Sequence, residues 1–153
     1  MNGCHICGVP LDAGVFDVST IIETKTLEKE LSAPGQEVVL VRYELPRNYC
    51  GTLLHFAQFT DRIRQGEMAT RGYQWQIRSS GQPLYPYLTL DHIVNPWGMA
   101  GFPIHLRLEE GCAVELVIRN VGGSDGDNLK KVGGRILGRY WYNTNYGGAP
   151  DRP

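Results

Sequence analysis

The sequence predicts an all-β protein, an antiparallel β-sandwich preceded by an extended N-terminal arm. Three observations lead there. Gly and Pro contribute 19 and 9 of the 153 residues, about 18% against roughly 12% in an average protein, so the backbone turns often. Charged residues make up only 20% of the chain and hydrophobic ones 42%, which suits short strands around a core better than long solvated helices. Apolar residues also recur with a period of two, in six to eight short runs separated by turn residues. The length fits one domain with a substantial core.

Residues 1–36 read as the arm. They carry Asp12, Asp17, Glu23, Glu28 and Glu30 against Lys25 and Lys29, lack aromatics apart from Phe16, and end in the turn signal Ala33, Pro34, Gly35. Two conformations stay open for this segment. Ser19 suits the cap of a helix bearing Ile22, Leu27 and Leu31, while Val15, Val18, Thr20, Ile21 and Ile22 suit an extended strand.

The sandwich is expected over 37–143, with a tail at 144–153. Val39, Val41, Tyr43 and Leu45 alternate with Val38, Leu40, Arg42 and Glu44, and the run stops at Pro46. Residues 52–60 are apolar on both faces, as in a central strand, and 61–72 form a polar connection. Tyr73, Trp75 and Ile77 alternate with Gln74, Gln76 and Arg78 up to a turn at Ser79, Ser80 and Gly81, which aims Trp75 into the core. A strand is expected at 88–94 and a loop at 95–101. Phe102, Ile104, Leu106 and Leu108, then Glu110 and Gly111, then Cys112, Val114, Leu116 and Ile118 read as a hairpin. A flexible loop at 120–131 and a last strand at 134–143 complete the domain.

Several function classes are disfavoured. No apolar run approaches the roughly 18 to 20 residues that cross a bilayer, and the start has no basic region followed by an apolar one, so a soluble chain without targeting segment or membrane partner is expected. A formal charge of -1, with no Lys/Arg block, lacks the basic footprint that binding nucleic acid requires.

Cys4 and Cys7 have the spacing from which two thiolates clasp zinc, but a structural site needs four ligands and no second such pair follows. Free thiols, a redox pair or a bridge to another subunit are the alternatives. Cys50 and Cys112 lie in strand-like runs and read as small buried hydrophobes. His55, His92 and His105 occur singly, without the paired spacing of a cupin metal site, and His105 alternates outward with Arg107. There is no Gly-x-Ser-x-Gly motif, and Glu109 and Glu110 suit a hairpin end, while in a strand they would point to opposite faces and make a poor acid/base pair. Residues 124–128 supply oxygen ligands at alternate positions but lack the bidentate Glu of a calcium loop. No catalysis and no cofactor are therefore expected. Tyr85, Tyr87, Trp97, Trp141, Tyr142 and Tyr146 suit an interface or the core, or alternatively a stacking platform for a glycan.

The order of four segments, 43–53 (YELPRNYCGTL), 73–84 (YQWQIRSSGQPL), 103–120 (PIHLRLEEGCAVELVIRN) and 132–142 (VGGRILGRYWY), resembles the small jelly-roll structural proteins of tailed bacteriophage virions. The likeness covers residues 37–143. It implies a jelly roll in a virion, as capsid decoration or neck component, in symmetric copies and without enzymatic activity. Its partners would be other virion proteins and further copies of itself, in a homo-oligomer. The acidic arm then folds onto a neighbour, its ordering entropy offset by the surface it wraps. On that reading contacts fall on Cys4, Cys7, Phe16 and Ile21 of the arm and on Trp97, Tyr142 and Tyr146. A carbohydrate-binding sandwich for host attachment is the alternative.

Overall fold

The computed structural model describes residues 10, 12–23, 31, 33–60, 73–83, 102–121 and 131–143. Within them lie eight strands: β1 (Gly14–Glu23), β2 (Glu37–Glu44), β3 (Tyr49–Thr60), β4 (Tyr73–Ser79), β5 (Gln82–Pro83), β6 (Phe102–Leu108), β7 (Ala113–Asn120) and β8 (Lys131–Tyr142). They form two antiparallel sheets, ordered β1-β8-β3-β6 and β2-β7-β4-β5. The first strand pairs with the eighth, the second with the seventh, the third with the sixth and the fourth with the fifth. An antiparallel ribbon has thus rolled up on itself, and the β3–β8 and β4–β7 pairings close each sheet. This is a jelly roll, the expected sandwich class. The expected strand at 88–94, the loops at 61–72 and 95–101 and the tail from 144 lie outside the described residues.

The sandwich begins earlier than residue 37. Gly14–Glu23, expected within an arm, is a full strand that pairs with β8 from Gly14 opposite Tyr140 to Glu23 opposite Lys131. Its β-branched residues settle the conformation as extended, so no helix starts at Ser19. Phe16 is buried and Val18 and Ile22 pack partly against the core. Leu31 is buried as well, and its carbonyl accepts a hydrogen bond from Asn120 Nδ2 at 2.8 Å.

The β2 alternation changes phase midway. The register shifts between Val39 and Val41, so Val38 and Leu40 face inward before the irregularity and Val41 and Leu45 after it. Such a bulge lets two adjacent residues, Leu40 and Val41, both enter the core. β3 is central, between β8 and β6, but only its inner face is fully covered: Leu53 and Phe56 are buried, and His55 on the outer side is exposed. Trp75 and Ile77 of β4 are fully buried. After Ser79, Ser80 and Gly81 have φ of 49° and 80°, the pair of positive values that a two-residue turn of type I′ requires.

The segment read as a β6–β7 hairpin is a corner between sheets. β6 pairs with β3, while β7 lies between β2 and β4. The Glu109–Cys112 turn closes with a 3.1 Å backbone bond, and Gly111 takes the left-handed φ of 66°. Ile104 and Leu108 therefore reach the core from one sheet, and Val114, Leu116 and Ile118 from the other. The local alternation is the same in either topology; the choice is made by partner strands distant in sequence.

Glycine opens the inner face of β8 to its neighbours. A Cβ on Gly138 would lie 2.2 Å from the Thr52 carbonyl oxygen and 2.3 Å from Phe16 Cζ. The bare backbone there is what admits the Phe16 ring.

Candidate functional site

Three surfaces carry the polar and apolar groups from which a function can be built. The first is the outer side of β1, an edge strand that pairs with β8 alone among the described strands. Alternation sends Phe16 inward and Val15, Asp17, Ser19, Ile21 and Glu23 outward. Val15 and Ile21 are 58% and 59% exposed, the two most exposed large hydrophobic residues among those described. Asp17 accepts a fork of hydrogen bonds from Arg135, with Nε to Oδ1 at 2.7 Å. That bond holds the Asp17 carboxyl below the usual carboxylate range. Lys131 Nζ lies 3.8 Å from Glu23, and Arg139 donates to the carbonyls of Ala13 and Gly14. The acids of β1 are thus engaged by the cations of β8, which leaves Val15 and Ile21 as its unpartnered large groups on that face.

The second surface is the end of the sandwich formed by the short turns. Tyr49 meets Tyr140 and Tyr142 edge-on, with ring centroids 5.8 and 5.6 Å apart. Asn48, at φ 66°, is the hub of this end. Its N–H donates to Glu110 Oε1 at 2.7 Å, and its carbonyl accepts from the Asn143 N–H at 2.6 Å. The β2–β3 turn, the β6–β7 corner and the end of β8 are braced together. Tyr142 is 38% exposed and Trp141 half-buried.

The third is the outer face of the second sheet. Arg78 forms a bidentate pair with Glu37, both bonds at 2.6 Å, and also binds Gln76 Oε1. Arg78 stands opposite Glu115 and Glu37 opposite Arg119, so the pair spans β7 across the position of Val117. Val117 is fully buried although it points away from the core. Arg78 keeps the Glu37 carboxyl below its ordinary range. Arg42 adds a 2.9 Å bond to Glu115. Arg42 with Glu115 and Arg78 with Glu37 and Gln76 are paired with one another and act as a brace for the sheet.

The expected contact residues fall in different places. Ile21 and Tyr142 are exposed. Phe16 is a correction: it is buried inside the sandwich, where its ring stacks on Tyr43 at 4.2 Å. Cys4, Cys7, Trp97 and Tyr146 lie outside the described residues, as do Tyr85 and Tyr87 of the glycan platform. Val15 was not singled out as a contact residue; its separation from Ile21 by an even number of positions was the signal that both share one strand face.

Cys50 and Cys112 are free thiols and buried. Burial pushes the Cys50 thiol up, and Cys112 shares a hydrogen bond with Ser79. His55 and His105 are exposed on the outer side of the first sheet. Among the described residues no group of three His, Cys, Asp or Glu is placed to hold a metal ion, and no helix is long and apolar enough to cross a membrane. A cavity of about 80 Å³ lies beside Arg135, lined by His55, Phe56, Ala57 and Leu137. It is well below the roughly 300 Å³ at which small-molecule pockets begin. No protein-family model matches the chain, and no curated protein or solved structure is significantly similar to it.

Proposed function

We propose that this chain is a non-enzymatic structural protein, an oligomeric jelly-roll component of a tailed phage particle, at the capsid surface or the neck. The observation that carries the reading is the β1 edge, ten residues long with Val15 and Ile21 exposed on it. A long edge strand with apolar side chains invites pairing with another chain, and proteins that remain monomeric blunt such edges. The low overall charge and the order of strand motifs described above support the same reading.

Anchoring takes a revised form, because β1 and Leu31 belong to the folded domain. Deleting residues 1–33 would remove an edge strand and a core residue, and so would test folding. Deleting residues 1–9 removes none of the described strands and tests anchoring: the variant is expected to fold and to be lost from purified particles. Density for this jelly roll in an electron-microscopy reconstruction of the source particle would support the assignment. Particles that lack the protein altogether would reject it.

Tyr142, exposed at the end of β8 beside the Tyr49 ring, favours one second reading, a glycan-binding module. Glycan-array binding that is lost on Tyr142→Ala would select it over the structural role.

A further inference from the structure

We propose that two copies of this chain join through β1, antiparallel about a two-fold axis at Val18, so that two four-stranded sheets become one of eight strands. The inference rests on the oligomeric reading above and adds the surface, the occupant and the register.

The pattern of β1 is self-complementary in one register. A continuous sheet requires residues of like facing to lie opposite each other, so the two-fold axis passes through a residue rather than between two. With the axis at Val18, Val15 lies opposite Ile21 of the second copy and Asp17 opposite Ser19. The two exposed apolar side chains then cover each other on the outer face, twice by symmetry. A Ser hydroxyl donates to each Asp17 carboxylate. On the inner face Val18 meets its own copy, and Ile22 lies opposite Gly14, where the Tyr140 ring fills the place of the missing side chain. Val18 and Ile22, only partly buried in one chain, gain cover.

Neighbouring registers are worse for stated reasons. An axis at Asp17 opposes that acid to itself, and one at Thr20 opposes Asp17 to Glu23; like charges directly opposite destabilise a strand pair. An axis at Ser19 sets Val15 against Glu23 and Ile21 against Asp17. Only the Val18 register pairs apolar with apolar, sets no acid directly opposite another and uses nearly the whole strand.

Cross-linking tests the register in the full-length chain, with Cys4→Ser and Cys7→Ser as background. Val15→Cys and Ile21→Cys variants are oxidised separately and as a mixture. Opposite positions are near enough for a disulfide, whereas each position is six residues along the strand from its own copy, roughly 20 Å. The expected result is a disulfide-linked dimer in the mixture and none in either variant alone. Light scattering should show the unmodified protein as a dimer or a multiple of it, and Val15→Lys combined with Ile21→Lys should halve that mass while thermal unfolding stays cooperative. An oligomer that gives no mixed cross-link, or equal cross-linking in all three samples, would overturn β1 pairing and leave the assembly role standing. A monomer would also overturn it, and the location of the chain in the particle would then decide the assembly role separately.

Discussion

Phe16 of β1 lies face to face with Tyr43 of β2, their planes within 8° of parallel. Because β1 and β2 belong to different sheets, this stack ties the edge strand to the opposite layer of the sandwich. Burial raises the Tyr43 phenol pKa, with a smaller contribution from Tyr140, as expected for a ring half withdrawn from water. Phe16→Ala is expected to cost about 3–5 kcal/mol, the range for removing a buried aromatic. Urea unfolding followed by tryptophan fluorescence measures it. A loss below about 1 kcal/mol would mean that β1 contributes little to the folded domain.

The glycines of β8 should differ in their tolerance of a methyl group. At Gly138 the added atom meets a backbone oxygen at 2.2 Å, which cannot move without breaking the β3–β8 ladder. At Gly134 the nearest atom is Leu116 Cδ2 at 2.6 Å, the end of a side chain that can rotate. Gly138→Ala should therefore lower the melting temperature well beyond Gly134→Ala. Equal effects would contradict the close approach of Phe16.

Gln58 is an interior position filled against the usual rule. It is fully buried on the core side of β3, and among the described residues neither its amide oxygen nor its amide nitrogen has a hydrogen-bond partner. Leaving a buried polar group unpaired costs about 1–3 kcal/mol, so Gln58→Met, similar in length and apolar, is expected to stabilise the fold by at least about 1 kcal/mol. Chemical denaturation in the absence of added small molecules checks it. A destabilised variant would show that the amide makes contacts the folded chain depends on.

The legible part of the fold was the part with strong local pattern. Trp75 and Ile77, or Val114, Leu116 and Ile118, announce their inward face by alternation alone, and both sets are buried. β1 was obscured because an edge strand is covered on one side only, so Val15 and Ile21 break the inside-apolar rule that identifies central strands. The bulge after Val39 was invisible because four apolar residues in a row hide a change of phase. The β6–β7 corner misled for a different reason: Glu110 and Gly111 make a good tight turn wherever the chain goes next, and the choice of sheet belongs to β3, β2 and β4. Phe16 and Ile21 show the same limit at the candidate surface. Hydropathy marks both as anchors, and only their burial in the fold, 4% exposed against 59%, shows which one faces outward. The Glu37–Arg78 pair spans 41 positions of sequence and had no local signal.

That pair and Asp17–Arg135 contribute to the acid limb of stability. In each, hydrogen bonds from an Arg lower the folded carboxyl pKa relative to the unfolded chain. A lowered folded pKa means the unfolded state binds protons first, so the stabilisation is complete above the ordinary carboxylate range of about 4. It is lost as pH falls through the folded values. Both acids are partly solvent-exposed, with side chains 41% accessible, so screening limits each pair to about 1 kcal/mol or less. Asp17→Asn and Glu37→Gln should each lower stability slightly at pH 7 and leave it nearly unchanged at pH 2. The difference between variant and parent should therefore narrow on acidification. A difference that holds constant from pH 7 to pH 2 would mean that these residues act by packing, with no contribution from their charge.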